Sequence, residues 1–405
     1  MADREEPAEL THPARPGWQA VAEVFVVFLG LGLTSFGGPV AHLGYFRRTF
    51  VERRRWLSEA GYADLVALGQ FLPGPASSQV GMGIGLQRAG VAGMIAAWVA
   101  FTLPSAALMT LFAAVQTGLV QADGGWIVGL NAVAVAVVAH AVLGMAKTLT
   151  PDRPRITIAV IAMVAILISP AGWTQIVVIV AAGVVGWAWL KPDPVTEEAG
   201  LNIPLRPVAG AVCLAVFVVL LVGLPILASV TGDPSARLAD GFYRAGSLVF
   251  GGGHVVLPLL EAETVRAGLL DEQTFLAGYG VAQAMPGPLF TFSAFLGYAV
   301  SQPGGLLGAT IALLAIFLPG ALLIAGALPF WQRLRRSEPT RAALIGVNAG
   351  VVGILAAALY TPVFTSGVRN PATMAIAALA FVALHSWRTP AWAVVLAGAA
   401  AGLLL

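Results

Sequence analysis

The chain has 405 residues, of which 58% are hydrophobic and 10% are charged, against roughly 45–50% apolar and about 25% charged residues in ordinary soluble domains. Together with a mean hydropathy of +0.85, this composition excludes a soluble globular domain and predicts an all-α polytopic membrane protein. The formal net charge of +2 does not indicate a nucleic-acid partner, and Cys213, the only cysteine, excludes an intrachain disulfide and a cysteine-based metal site.

The predicted elements begin after a polar tail. Residues 1–17 have neither a basic signal region nor a cleavage site, so we expect a retained cytoplasmic tail. We then expect a first transmembrane repeat at 18–190, a cytoplasmic linker at 191–206, an unpaired apolar span at 207–230 and a second transmembrane repeat at 231–405. The early segments 18–36, 39–50, 62–72 and 76–87 are mostly too short or too glycine-rich to span a bilayer. They predict helical hairpins that enter and leave the membrane on one side.

Four motifs of the first repeat recur in the second. FGGPVAHLGYF, which begins at Phe36, recurs as FGGGHVVLPLL from Phe250, and QFLPGPASSQ from Gln70 recurs as QAMPGPLFTFS from Gln283. TLPSAAL and GLNAVAV recur as FLPGALL and GVNAGVV. Matched positions differ by 214 (250 − 36), 213 (286 − 73), 215 (319 − 104) and 217 (348 − 131). This steady spacing indicates a duplication.

Basic residues lie at opposite ends of the two repeats. Residues 47–56 contain five arginines, whereas the matching stretch 261–272 has one arginine among several acidic residues. Residues 116–125 have no basic residue, whereas the matching residues 332–341 have four. Because short cytoplasmic loops collect lysine and arginine, the reversed bias predicts two inverted-topology repeats with broken helices, and the span 207–230 supplies the inversion.

The two Pro-Gly-Pro motifs are the main candidates for a substrate site. Proline lacks an amide hydrogen and glycine lacks Cβ, so each motif must interrupt its helix. A half-helix that starts after such a break directs unpaired N–H groups and about +0.5 of a charge toward an anion. The alternative is that the motifs only bend or pack their helices. The predicted binding residues of this group are Gln70, Pro73, Gly74, Pro75, Ser77, Ser78, Gln79, Gln283, Pro286, Gly287, Pro288, Thr291 and Ser293.

The glycine-rich breaks and the histidines after them complete the predicted binding site. The glycines are expected either to form turns that bring backbone close to the substrate path or to allow close helix packing. They are Gly37, Gly38, Gly251, Gly252 and Gly253. His42 and His254 follow these turns and either share a proton with a passing oxyanion or bond a carbonyl.

Ionisable and amide side chains at membrane depth are functional candidates because their burial is costly. We assign them to three groups: Glu23, Asp64 and Glu261 as candidates for proton coupling, Asn131 and Asn348 as matched buried polar residues for the site or for helix packing, and His140 and Arg244 as further ionisable residues. The arginines of residues 47–55 are interpreted as a topological anchor that meets anionic lipid, and the alternative is that they concentrate anions at the cytoplasmic mouth.

The duplicated pattern of FGG followed by PGP resembles the chromate ion transporter family, in its long two-domain form. The resemblance covers both repeats from about residue 18 onward, and four paired motifs make it specific. It implies export of chromate, with sulfate as a similar dianion, across the bacterial inner membrane with the N-terminus in the cytoplasm, and it implies chromate resistance.

The residues alone indicate a small-anion transporter, and they leave an anion channel or a transporter of sulfate or another oxyanion as alternatives. We expect no enzyme, cofactor or metal site, because no P-loop, zinc or nucleophile motif is present. The expected partners are the oxyanion and the lipid bilayer, and a homodimer is left open.

Overall fold

The computed structural model describes residues 17–36, 38–119, 125–169, 172–192, 205–250 and 255–404. The helices of the first repeat are α1 (Gly17–Thr34), α2 (Gly38–Phe46), α3 (Glu59–Phe71), α4 (Ala76–Leu119), α5 (Gly125–Leu149), α6 (Arg153–Ile168) and α7 (Gly172–Trp189). A linking helix, α8 (Pro207–Thr231), follows. The helices of the second repeat are α9 (Pro234–Leu248), α10 (Val256–Thr264), α11 (Glu272–Ala284), α12 (Phe292–Ala299), α13 (Gly305–Ala327), α14 (Trp331–Arg336), α15 (Glu338–Ala358), α16 (Thr365–Gly367), α17 (Pro371–His385) and α18 (Ala391–Gly402).

Among the described residues, six helices are long and apolar enough to cross a membrane. The most hydrophobic is α8, whose mean hydropathy is 3.0 and whose side chains are almost all unburied within the chain. At 25 residues it is about 37 Å long, which suffices for one crossing of a hydrocarbon core of about 30 Å. These features confirm the prediction of an all-α, multi-pass membrane protein.

The first repeat begins with two helical hairpins that return to the same face. Phe28 of α1 stacks on Phe50, with 4.9 Å between ring centroids, and Glu23 pairs with Arg54 at 3.1 Å, so the chain after α2 runs back along α1. Glu23 also pairs at 3.0 Å with Arg88, where the chain returns from the second hairpin. We call the face marked by Glu23, Arg54 and Arg88 the arginine face.

The second hairpin is formed by α3 and the first segment of α4. That segment ends at a break, because Ala89 has φ −145° and Gly90 has φ +66°. The remaining residues of α4, 91–119, then run away from the arginine face, and α5 returns to it. The predicted hairpins of the first repeat are thereby confirmed.

The second repeat has the same plan in the opposite direction. Arg244 of α9 pairs with Glu263 of α10 at 3.2 Å, which shows that α10 runs back along α9. After α11 and α12, the long helix α13 leads to Trp331, whose Nε1–H donates to Asp64 Oδ1 at 3.3 Å. Because Asp64 belongs to the first turns of α3, α13 ends on the arginine face, whereas the long segment of α4 begins there. The repeats are therefore inverted, as predicted.

The C-terminal helices of the two repeats are exchanged. In the first repeat, α5 packs between α17 and α18 of the second, with Gly125 against the backbone of Gly402 and Gly129 against that of Gly398. In the second repeat, α15 packs against α6 and α7 of the first. Small residues allow this close approach of helix backbones. Each repeat thus depends on the other for its packing.

Candidate functional site

The two Pro-Gly-Pro loops meet the glycine-rich breaks of the opposite repeats at the centre of the molecule. The Gly74 amide donates to the Val249 carbonyl at 2.7 Å, and the Gly287 amide donates to the Ser35 carbonyl at 2.8 Å. Val249 is the counterpart of Ser35 (249 − 35 = 214), and Gly287 is the counterpart of Gly74 (287 − 74 = 213). The two bonds are therefore related by the pseudo-symmetry of the inverted repeats. We call the region defined by Ser35, Gly74, Val249 and Gly287 the crossover.

Stereochemistry explains why glycine occupies the centre of each loop. Gly74 has φ +123° and Gly287 has φ +93°, and residues with a Cβ rarely adopt such backbone angles. A Cβ on Gly74 would also lie 3.2 Å from the Cα of Gly320, and one on Gly287 would lie 3.3 Å from the Cβ of Ser105. The loops therefore approach the opposite repeat more closely than a side chain would permit.

The structure shows that both motifs interrupt their helices, as predicted. α3 ends at Phe71 and α4 begins at Ala76, while α11 ends at Ala284 and a 3-10 turn, Leu289–Thr291, precedes α12. The glycine amides are already bonded across the crossover. The amides with no acceptor inside the helix are those of the first turn after each motif, at 76–78 and at 289–290.

His42 connects the first glycine-rich break to the second hairpin of the same repeat. It is fully buried, and its Nε2 lies 3.1 Å from the Ser35 carbonyl oxygen. Because a carbonyl only accepts, Nε2 carries the proton, and in the neutral ring Nδ1 accepts from the Ser77 hydroxyl at 3.3 Å. The ring also packs edge-on against Phe101, at 5.3 Å between centroids. The Ser35 carbonyl thus accepts from both His42 and Gly287.

Two polar side chains bind the loops to the long helices. Gln79 Nε2 donates to the Pro73 carbonyl at 2.9 Å and to the Gly320 carbonyl at 3.4 Å, which links the first loop to α13. In the second repeat, the Thr291 hydroxyl donates to the Pro288 carbonyl at 2.8 Å, so the Ser105 hydroxyl is the donor in its 2.6 Å contact with Thr291. Both loops are therefore held at two points.

Several buried polar atoms near the crossover have no hydrogen-bond partner among the described residues. They belong to the breaks and to the helix starts next to them, and they are the hydroxyls of Ser35, Ser78, Thr102 and Ser293, Oε1 of Gln79 and Nε2 of Gln283. Buried polar groups are normally satisfied, so the four hydroxyls and the Gln283 amide N–H group, which can all donate, favour a site that receives a polar solute, whereas Oε1 of Gln79 can only accept. The residues that make the contacts of the crossover include no carboxylate, which suits an anion.

A cavity of about 510 Å³ reaches the crossover from the side. Gly38 and Gly287 lie at its inner end, and Gln283 lines its wall. Three of the predicted site residues, Gly38, Gln283 and Gly287, therefore line the same cavity. Gln70, by contrast, is exposed on α3.

The three carboxylates that were predicted to couple protons lie away from the crossover. Glu23 pairs with two arginines on the arginine face, Asp64 accepts from Trp331, and Glu261 pairs with Arg266 at 2.9 Å. Their role in proton coupling stays a prediction.

The two asparagines lie within α5 and α15, and Oδ1 of each is buried without a partner among the described residues: Asn131 and Asn348. Their assignment to the site or to helix packing stays a prediction. Gly37, Gly251, Gly252, Gly253 and His254 lie outside the described residues.

Sequence reasoning missed two residues of the crossover, Ser35 and Val249, and two residues of the long helices that contact the loops, Ser105 and Gly320. Ser35 and Val249 each precede an FGG motif, and Ser105 and Gly320 each follow a proline in the paired LPS and LPG motifs. The signal was present in the pairing of TLPSAAL with FLPGALL. The motif pairs did not reveal that each loop contacts the break of the other repeat.

Comparison with known proteins links the chain to one family and to several relatives from bacteria. A family model described as chromate transporter matches residues 22–187 and 236–403. The chain is similar to the chromate transport protein of Pseudomonas aeruginosa, with 30% identity over 98% of this chain and 95% of the relative. It is also similar to the chromate transport protein of Cupriavidus metallidurans, at 29% identity with 89% and 87% coverage. A third relative is the probable chromate transport protein of Synechococcus elongatus, at 27% identity with 86% and 85% coverage. No solved structure matches the chain.

Proposed function

Because the chain belongs to the chromate transporter family, we propose that it exports chromate, and the similar dianion sulfate, from the bacterial cytoplasm by alternating access. The observation that carries this proposal is the pair of reciprocal bonds from Gly74 to Val249 and from Gly287 to Ser35. They hold each Pro-Gly-Pro loop, and with it the positive dipole end of the half-helix that follows, against the break of the opposite repeat. A tetrahedral dianion accepts from N–H and hydroxyl donors in this arrangement.

The direction of transport follows from the charge on the two faces. Arginine-rich loops lie on the cytoplasmic side of membrane proteins, so we assign the arginine face to the cytoplasm, which also puts the N-terminus there. An inside-negative potential then favours the exit of a dianion by about 4.6 kcal/mol per 100 mV, at about 2.3 kcal/mol per charge. The membrane potential alone therefore suffices to drive the dianion outward. Proton antiport is compatible with this mechanism but is not required by it.

The bonds of the crossover also suggest how the repeats alternate. In this conformation a cavity reaches Gly38 and Gly287. At the pseudo-symmetric position α10 packs on α7 and α15, and Gln175 Nε2 of α7 donates to the Pro258 carbonyl at 3.2 Å. Among the described residues, the cavity borders α2, whereas its counterpart α10 is packed against α7 and α15. Rocking of the repeats about the crossover would exchange the two conditions.

Counterflow in proteoliposomes tests the proposal. Purified protein is reconstituted into liposomes loaded with unlabelled chromate or sulfate, with equal pH on both sides and the potential clamped to zero. A transporter makes the external labelled anion accumulate transiently above its equilibrium level, whereas an anion channel only equilibrates it. Protein-free liposomes give the background. Absence of protein-dependent flux of either anion would refute the proposal, and flux without an overshoot would favour the channel.

A further inference from the structure

The cavity beside the crossover opens toward the arginine face. It lies between α5, the end of α11 and the loop that joins α17 to α18. Since Gly125 packs on Gly402 and Gly129 on Gly398, α18 runs antiparallel to α5 and begins beside its later residues. Those later residues lead to the arginine face. The loop between α17 and α18 therefore forms the wall of the cavity nearest the arginine face. The crossover lies at the opposite, inner end of the cavity.

Cationic and imidazole side chains line the outer part of this cavity. His140 of α5 and His385 of α17 have ring centroids 5.6 Å apart, and Arg388 follows in the loop. The residues that line the cavity include no aspartate or glutamate. Within the described residues, no carboxylate lies within ion-pair distance of Arg388. Its charge is therefore available to a solute anion.

The backbone of Arg388 supports a role for its side chain. Arg388 has φ +54°, a left-handed conformation that is usual for glycine at the end of a helix and unfavourable for other residues. The loop closes around it by a bond from the Thr389 amide to the Ala383 carbonyl at 2.9 Å. The strained backbone fixes the position of Arg388 at the edge of the cavity.

A second polar group lies between Arg388 and the crossover. Gln283 lines the same cavity, and its Nε2 is buried with no hydrogen-bond partner among the described residues. The cavity volume of about 510 Å³ holds a tetrahedral oxyanion with part of its hydration shell, at about 30 Å³ per water. Arg388, His140, His385 and Gln283 thus line the cavity between the loop that joins α17 to α18 and Gly287.

We infer that Arg388, with His140 and His385, forms an outer oxyanion site that binds a tetrahedral dianion on the arginine face before it reaches the crossover. Gln283 then receives the anion on its way inward. This inference rests on the proposed function and adds to it a specific entry site. The guanidinium binds two oxygens of the anion at once, and the imidazole rings supply N–H donors.

Transport kinetics of charge variants test the outer site. Arg388→Gln is compared with Arg333→Gln, which removes an exposed arginine from the same face but not from the cavity. In oriented vesicles with the arginine face toward the added sulfate or chromate, we expect R388Q to raise KM about tenfold with little change in maximal rate. R388K should recover part of the loss because it keeps the charge but not the paired donors. R333Q should leave KM within about twofold, because an exposed charge outside the cavity contributes little.

Chemical rescue gives an independent readout. In a Cys213→Ser background, Arg388→Cys is modified with a cationic or an anionic methanethiosulfonate reagent. The cationic adduct should lower KM toward the wild-type value, and the anionic adduct should raise it further. If R388Q does not insert, His385→Gln is measured in the same way and should also raise KM.

The outcomes separate the two proposals. A wild-type KM in R388Q, or in H385Q where it replaces R388Q, overturns the outer site while leaving the proposed function intact. Equal effects of the two reagents overturn it as well. Absence of flux in the wild-type protein refutes the proposed function itself.

Discussion

Substitution of Gly74 by alanine tests whether the crossover is required for transport. Gly74 has φ +123°, and a non-glycine residue in a sparsely populated region costs about 1–3 kcal/mol. The added Cβ would lie 3.2 Å from the Cα of Gly320 and 3.1 Å from Nε2 of Gln79. The glutamine can move, but the backbone of α13 cannot move alone, so the loop must shift and weaken its bond to Val249.

The expected loss of transport rate follows from the strained backbone angle and from the close contact of the added Cβ with Gly320. About 2 kcal/mol lost from the transport-competent conformation corresponds to a decrease of roughly 30-fold in its population or in the rate through it. We therefore expect G74A to insert normally and to transport chromate at a few per cent of the wild-type rate. Initial rates of flux in proteoliposomes, normalised to the reconstituted protein, measure the effect.

Gly268 provides a matched control. It also has a positive φ, +72°, but a Cβ there would contact nothing within 4 Å. G268A should therefore cost about 1 kcal/mol of backbone energy and leave transport unchanged. Transport by G74A at the rate of G268A would refute the reasoning. The contact between the first loop and α13 would then have no effect on transport beyond that of a strained backbone angle.

Three further predictions follow from contacts away from Gly74. His42→Phe keeps a ring against Phe101 but removes both polar contacts, so we expect normal insertion with at least tenfold slower flux; a wild-type rate would show that these contacts are dispensable. Glu23→Gln leaves the partly buried Arg88 and the exposed Arg54 without their carboxylate, and thermal unfolding in detergent should show a loss of about 1–3 kcal/mol; an unchanged melting temperature would show that these two ion pairs do not stabilise the fold. In a cysteine-free background, Arg53→Cys should react with an impermeant thiol reagent only from the cytoplasm and Leu269→Cys only from outside. Labelling of both from one side would rule out inverted repeats.

The local breaks of the chain were predictable because they arise from stereochemistry within a few residues. Proline removes a donor and glycine permits a positive φ, so the sequence around Gly74 and Gly287 interrupts a helix wherever it lies. The same holds for the hairpins of the first repeat, since residues 18–36 and 39–50 match α1 and the chain from α2 to Arg53. The duplication and the reversed arginine bias were likewise visible without coordinates.

The composition and the repeated motifs by themselves determined that this protein is an inverted-repeat membrane transporter with two interrupted elements. Only the tertiary structure decided that each Pro-Gly-Pro loop binds the break of the other repeat, that α5 packs between α17 and α18, and that Arg388 faces a cavity leading to Gly287. These contacts join residues more than 100 positions apart in the sequence. They depend on how the hairpins of the two repeats pack across a shared centre, which periodicity and turn chemistry along one chain do not encode.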